Sequence, residues 1–559
     1  MDVTTDREVD VLVVGSGAAG LTAAAVAASK GLEVLLLEKA RLFGGTTAVS
    51  GGGLWIPMNR HMSEVGLDDS REEALEYARA CASHSEDDDL VVALVDHGAL
   101  MVDYLEDHLG VELQPWPAGG GTLDYRPWLR GARHGGRPLC SQRVEREPLG
   151  EWGDRIRMGR AGSWHMNPTD YYRNRVHLMS AEDSPPTYAS DPNAPVEAFA
   201  NGTALAAQLV RSCLSSGVEF QGATRVERLL VEDGRVVGAV AVTSGESVRV
   251  LTRGGVVLAT GGYGANEELV NRWLHRPIMY TCEVETNEGD GHLMGMEIGA
   301  AVSGLGDAWW MPHMALGEGP TGLLNTAGTR EDRILPHTML VNSRGRRFVN
   351  EAMNYYDVAE ALGLKIGATE RNWPAWFIFD QQGVDRYAML AWRVTPAASG
   401  HWLFSSDSVA GLAKQIGVPA TELEETVDRF NRFAESGEDR DFGRGSTEWD
   451  LAWGDPAHGP NPCLGTVAKP QFYAMRLLPG ALATRGGLRI TPNAEVLSVR
   501  GQKIAGLYAA GNCSNGAVPG AYVGPGATIG AAMTFGFLAA LHLAQNRQPT
   551  ATSVHRGRC

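Results

Sequence analysis

Short runs of β-branched and aliphatic residues recur along the chain, each running into glycine, and they read as buried parallel strands rather than half-exposed ones. The first, Val9-Asp10-Val11-Leu12-Val13-Val14, leads into Gly15-Ser16-Gly17-Ala18-Ala19-Gly20. Small, helix-compatible residues then occupy Leu21 to Lys30, and a second apolar run, Gly31 to Leu37, ends at Glu38. That order is a βαβ unit. Further on, Ala204 to Ser216 predicts an amphipathic helix, and Arg225 to Val231 and Val236 to Val240 predict a hairpin turning at Glu232-Asp233-Gly234-Arg235. Another buried strand follows at Gly255 to Gly262, and Ile504 to Asn512 returns to the same style. Between these, residues 311–480 mix strands, helices and tryptophans in a different texture, and 137–195 is rich in Arg, Pro, Ser and Asp. The pattern predicts an α/β protein. A discontinuous Rossmann-like domain is expected over 1–312 and 481–559, with an inserted α+β domain over 313–480 and an irregular, partly mobile excursion over 137–195.

The first glycine loop carries the clearest chemistry. G-x-G-x-x-G alone is a weak signal, but here it sits between a strand and a helix and an acid follows 18 residues after its last glycine. Gly15 makes the turn, Gly17 lets the backbone approach a pyrophosphate, and Gly20 lets the helix pack closely on the strand. The helix N-terminus offers the positive end of a dipole, and Glu38 is placed to accept from ribose hydroxyls. A dinucleotide cofactor is expected.

Composition narrows the partners. The 559 residues carry 49 basic and 66 acidic side chains, a net charge of −17, so neither nucleic acid nor an anionic membrane surface is an expected partner. The 69 glycines are about 12% of the chain, against roughly 7% in ordinary proteins, which fits several tight backbone loops. Seven scattered cysteines without a C-x-x-C pair argue against a disulfide framework or zinc site and for a reducing compartment. Val9 to Ala28 is apolar enough to imitate a signal sequence, yet it follows an acidic start and is broken by glycines. Ala531 to Ala544 reads as too short to cross a bilayer. A cytoplasmic protein with no transmembrane segment and no metal is expected.

Five segments together resemble the FAD flavoproteins of the fumarate reductase and succinate dehydrogenase superfamily: the fingerprint with Glu38, Gly44 to Gly53, Ala259-Thr260-Gly261-Gly262, Asn287-Glu288-Gly289-Asp290-Gly291, and Leu507 to Asn512. Within it, Gly44 to Pro57 is similar to the bacterial 3-ketosteroid 1-dehydrogenases. The resemblance covers nearly the whole chain apart from 137–195. It implies noncovalent FAD held by Gly15, Ser16, Gly17, Ala19, Gly20, Glu38, Lys39, Gly45, Thr46, Thr47, Ser50, Gly51, Gly52, Val226, Thr260, Gly261, Asp290, Gly511, Asn512, Gly526, Thr528 and Ile529.

The resemblance also implies the reaction. Leu340 to Glu351 resembles a superfamily motif in which the position four residues after the glutamate faces the flavin; fumarate reductases have arginine there, and here it is Tyr355. A neutral phenol cannot clamp a carboxylate as a guanidinium fork does, so Tyr355 points to an uncharged substrate. In ketosteroid dehydrogenases that tyrosine is the proposed base. Ala521 to Gly530 resembles the element in which Tyr522 and the backbone N–H of Gly526 grip the ketone oxygen, with Val523 standing where the family usually has proline. Leu123 to Pro127 resembles the segment whose tyrosine, Tyr125, assists the base. These residues imply removal of a proton from carbon 2 and a hydride from carbon 1 of a 3-ketosteroid, with an external quinone-like or dye-like electron acceptor. No second G-x-G-x-x-G offers a site for NAD(P)H.

Other readings stay open from sequence alone. A ketosteroid dehydrogenase acting at the 4,5 bond, or an enone-forming enzyme on another hydrophobic ketone, would use the same groups. A fumarate reductase would need arginines and histidines around positions 355 and 520–526. A flavin-binding protein without catalysis is the reading from another class. His292, His313 and His337 read as ordinary polar or core histidines, Trp309 to Pro312 as cavity lining or core, and Asn201-Gly202 as a helix start or a flavin-proximal loop.

Overall fold

A computed structural model describes residues 6–82, 87–116, 123–159, 174–180, 182–183, 197–318, 324–364, 371–394, 402–516, 518 and 520–546. The first apolar run forms the strand Asp6–Val14, which pairs in parallel with Glu246–Leu258 on one side and Val34–Leu37 on the other. Glu219–Gln221 extends this parallel array beyond Val34–Leu37, and Lys503–Ala509 extends it beyond Glu246–Leu258. The strands Thr224–Glu232, Arg235–Thr243 and Glu246–Leu258 then run as an antiparallel meander, so the sheet has eight strands of mixed direction. Val9 to Val14, Val34 to Leu37 and Val256 to Leu258 are buried on both faces, which is why they read as unbroken apolar runs.

The helix Ala18–Ser29 is buried on nearly all sides because its alanines let it lie between the sheet and the C-terminal helix Ala527–Gln545. That C-terminal helix corrects the length argument made from Ala531 to Ala544. It has 19 residues and is, among the described residues, the one helix long and apolar enough to cross a membrane, but 72% of its apolar window is buried within the protein. Its hydrophobicity serves the core.

A second sheet of six strands occupies the middle of the chain. Its order is Leu324–Gly328, His313–Glu318, Phe472–Leu478, Ala375–Asp380, Thr338–Val341, with Leu403–Ser406 also paired to Phe472–Leu478. Val302–Trp310 and Gly480–Leu488 form an antiparallel ladder that carries the chain between the two sheets. A shared aromatic core fills the seam between them; Trp55, Tyr77, Tyr125, Trp309, Tyr355, Trp449 and Tyr522 all belong to it.

Part of the 137–195 segment is regular. Pro138–Ser141 is the central strand of a small sheet between Gly53–Trp55 and Leu113–Pro115. Residues 160–173, 181 and 184–195 of that segment, including its Pro-rich stretches, lie outside the described residues.

Candidate active site

One cavity of about 510 Å³ collects the ends of the parallel strands and the seam between the sheets. Every residue that the sequence assigns to cofactor or catalysis lines it, except Gly20. Gly20 instead faces the turn it closes; a Cβ there would sit 2.0 Å from the Gly15 carbonyl oxygen. Gly15 has φ +104°, and its own Cβ would meet the Ala259 carbonyl oxygen at 2.4 Å, so this strand-to-helix turn admits only glycine. Gly17, by contrast, has room: a Cβ there would find only the Thr47 hydroxyl, at 3.8 Å.

These features fit FAD. The helix Ala18–Ser29 has no side-chain cap from its own N-cap residue, Gly17, and its first N–H donates across to Thr47 Oγ1 at 2.9 Å. Its N-terminus therefore opens on the cavity, where a pyrophosphate gains both the dipole and backbone donors. Glu38 lines the same space. Its Oε2 accepts from Ser16 N at 2.9 Å and Ser16 Oγ at 2.6 Å, and its Oε1 accepts from Ala40 N at 2.8 Å. A carboxylate offers about four acceptor positions, so a ribose hydroxyl can still be accommodated. Asp290 also lines the cavity, already paired with Lys39 at 2.8 Å and Arg225 at 2.6 Å. Asn201 starts the helix Asn201–Ser215 at φ +55°, as the helix-start reading of Asn201-Gly202 expects, and it lines the cavity too.

The catalytic candidates converge from three parts of the chain. Ring centroids of Tyr125 and Tyr355 are 5.4 Å apart, those of Tyr125 and Tyr522 5.1 Å, and those of Tyr355 and Tyr522 5.5 Å. Tyr355 opens the helix Tyr355–Gly363, whose N-terminus is capped by Asn354 accepting from Asp357 N at 3.0 Å. That cap fixes which neighbour faces inward: Tyr355 lines the cavity, while Tyr356 packs behind Tyr522. Burial pushes the phenols of Tyr125 and Tyr355 well above their ordinary range, and raises Tyr522 as well. Gly526 begins the C-terminal helix at φ +89°, where a Cβ would strike the Gly53 carbonyl carbon at 2.3 Å. Its backbone thus lies against the Gly53 loop and beside Tyr522 on the cavity wall.

Val523 stands where the family has proline, and the structure shows what steadies the loop. The Val523 carbonyl accepts from Tyr77 Oη at 2.6 Å and from Tyr125 N at 3.1 Å. Arg126 N in turn donates to Tyr77 Oη at 3.3 Å. Tyr77 therefore ties the loop of Tyr522 to the loop of Tyr125. Behind them, buried Asp124 accepts from Trp55 Nε1 and Arg137 Nη1, both at 2.7 Å.

Sequence reasoning missed several lining residues. His313 is in the wall, with Nδ1 3.0 Å from the Met311 carbonyl oxygen; burial pushes it down to about 4, so it is neutral near pH 7. Trp309 backs Tyr522 at 4.9 Å without lining the cavity, and of Trp309 to Pro312 only Met311 does. Arg330 departs most from the uncharged pocket expected. It lines the cavity beside Glu331, whose Oε1 accepts from its Nε, and its guanidinium lies 6.0 Å from the Trp453 ring. The one available signal was the charge cluster Arg330-Glu331-Asp332-Arg333 ahead of a buried run, a pattern that also describes any solvated loop.

Comparison with known proteins agrees with this geometry. The FAD binding domain family matches residues 10–529. The chain is 39% identical over 542 residues to a 4-oxocyclohexanecarboxylate 2-dehydrogenase of Sinomonas cyclohexanicum, covering 95% of this chain and 92% of that protein. It is 36% identical over 568 residues to a 3-oxosteroid 1-dehydrogenase of Mycobacterium tuberculosis, covering 97% and 99%. Among solved structures it resembles a 3-ketosteroid delta1-dehydrogenase from Sterolibacterium denitrificans in complex with 1,4-androstadiene-3,17-dione, with TM-score 0.87, 33% identity, and 97% and 100% coverage. With the glycine turn, the open helix N-terminus and the tyrosine cluster all on one cavity, the chain belongs to the FAD binding domain family of flavin-dependent oxidoreductases, together with the 3-oxosteroid 1-dehydrogenases.

Proposed function

We propose that this protein is a 3-ketosteroid 1-dehydrogenase, which removes hydrogens from carbons 1 and 2 of a 3-ketosteroid and leaves a double bond between them. One observation carries the reading: Tyr125, Tyr355, Tyr522 and Gly526 meet on the wall of the cavity that also holds the flavin-binding glycines. The 36% identity to a 3-oxosteroid 1-dehydrogenase supports it.

Each group has a separate task. Tyr522 Oη and the Gly526 N–H donate to the ketone oxygen, which draws charge from carbon 2 and makes its proton acidic. Loss of one such donor typically costs about 3–4 kcal/mol of the barrier. Tyr355 takes the proton from carbon 2. We assign Tyr125, whose ring centroid lies 5.4 Å from that of Tyr355, as the residue that assists this base. The electron pair of the broken C2–H bond becomes the new double bond as the hydrogen on carbon 1 leaves with its pair. FAD held without a covalent link along the glycine turn and Glu38 would supply the hydride acceptor, and an external quinone-like or dye-like acceptor would reoxidise it. The aromatic core around the cavity excludes water from these steps. Among the described residues six cysteines stand outside any disulfide, which supports a cytoplasmic setting.

Anaerobic titration of the yellow holoenzyme tests the reading. 4-Androstenedione is expected to bleach the flavin and to appear in mass spectrometry two hydrogens lighter. Bleaching by 5α-androstanedione alone would favour the 4,5 bond instead. These four groups require only a ring ketone with hydrogens on the α and β carbons, and the rest of the steroid is not engaged by them.

A further inference from the structure

The cavity wall that carries the three tyrosines also carries an ion pair for which a steroid has no use. Arg330 and Glu331 both line it, and 28% of the Arg330 side-chain surface stays open while Glu331 keeps 9%. Arg330 lines the same cavity as Tyr125, Tyr355 and Tyr522. A chain of ring contacts links it to the tyrosines: Arg330 lies 6.0 Å from Trp453, Trp453 5.7 Å from Trp449, and Trp449 5.1 Å from Tyr125.

The neighbouring charges are matched within the protein. Asp332 accepts from Arg393 Nη2 at 3.0 Å, and Arg333 is buried against the carbonyls of Glu351 and Met353. Arg330 is paired with Glu331 through its Nε, and it is the cation of the 330–333 cluster that also lines the cavity with part of its side chain open. Covering that surface with an apolar steroid ring would strip water from a cation and return nothing. A carboxylate on the substrate would answer the charge and could match the guanidinium fork.

We infer that Arg330 is a specificity-determining residue that receives a carboxylate borne by the reacting ring, so that the cavity prefers an anionic ring ketone over a neutral one. The cation shares the cavity and its aromatic wall with the tyrosines proposed to handle the ketone, which suits a carboxylate on the ring being desaturated. The 39% identity to a protein named for 4-oxocyclohexanecarboxylate agrees with this substrate class. The inference rests on the proposed enone-forming chemistry and changes the ring that undergoes it.

The test compares 4-oxocyclohexanecarboxylate with its methyl ester, which keeps the ring and ketone and removes the charge. In anaerobic stopped-flow bleaching of the holoenzyme, the acid is expected to outperform the ester by at least about tenfold in reduction rate over dissociation constant. Arg330→Met should collapse that acid-to-ester ratio by about 30-fold or more, and Arg330→Lys should restore part of it. Flavin content is measured for each variant, and the acid-to-ester ratio of the unmodified enzyme stands even where a variant fails to hold FAD. Equal bleaching by acid and ester in the unmodified enzyme overturns the inference. So does an equal fall for both in Arg330→Met, which would make Arg330 a positioning residue for the tyrosines. Should 4-androstenedione bleach while the acid does not, the anionic substrate is wrong and the proposed reaction survives. Failure of both would remove the reaction as well.

Discussion

Tyr355 is asked to be a base in surroundings that hold its proton on. Burial, then the neighbouring phenols of Tyr125 and Tyr522, place its pKa well above the ordinary value near 10. The phenolate fraction of the free enzyme therefore grows with every step up in pH through the neutral range and beyond. Since kcat/KM reports the ionisation of the free enzyme, it is expected to climb from about pH 6 to about pH 9 without a plateau. A flat profile across that window would remove Tyr355 as the base. Tyr355→Phe should remain yellow and lose about 10²–10⁴-fold in turnover, read by steady-state rates against flavin absorbance. The sequence identifies this residue well but leaves its environment blank. Tyr355 stands at a motif spacing that a reader can count, whereas the hydroxyls around it come from residues 125 and 522, and the cation beside them from residue 330. No local period reports a contact of that range.

Loops rather than helices set the geometry among the tyrosines, and each loop is fastened by a group remote in sequence. Tyr77, on the helix Arg71–Cys81, donates to the carbonyl of Val523 446 residues away and accepts from Arg126 N. Tyr77→Phe would leave the part-buried Arg126 N without its acceptor and take one of two donors from the Val523 carbonyl, a loss of about 1–3 kcal/mol by the usual cost of such groups. The expected signature is a lower urea midpoint together with a raised KM for the ketone, because the loop that moves carries Tyr522, the residue proposed to grip the ketone. A fall in kcat alone, with KM and midpoint unchanged, would contradict this fastening role. At this scale the legible part of the fold is what local chemistry dictates. The strands beside Gly15 and Gly261, the hairpin at Asp233-Gly234 and the helix Ala18–Ser29 all follow from apolar runs and glycine. The strand Pro138–Ser141 does not, because a four-residue strand is specified by its two partners, Gly53–Trp55 and Leu113–Pro115, more than by itself. The same holds for Thr47 capping the helix Ala18–Ser29 from another loop.

Across the whole molecule, buried ionisable groups make stability depend on pH from both sides. His177, His292 and His313 are buried and pushed down to about 4. In the unfolded chain they titrate near 6.5, so as pH falls below that value the unfolded state gains protons that the native state refuses, and stability is lost until about pH 4. Glu283 acts in the opposite sense. Burial raises it to about 7 even though Asn287 and Thr484 donate to its Oε1, each at 3.4 Å. Its folded pKa lies above its unfolded one, so its contribution is fully present below about 4.5 and is lost as pH rises toward 7. Three groups outweigh one, and the holoenzyme is expected to lose stability on acidification from pH 7 to pH 4. Glu283→Gln separates the two effects because glutamine keeps an acceptor oxygen and does not titrate. Its melting temperature at saturating FAD should exceed that of the unmodified enzyme at pH 7 and above. The gap should close steadily on acidification and vanish near pH 4.5, while the histidine-driven decline persists in both. A gap independent of pH would mean that Glu283 titrates in the folded protein as it does in the unfolded chain, its hydrogen bonds offsetting its burial.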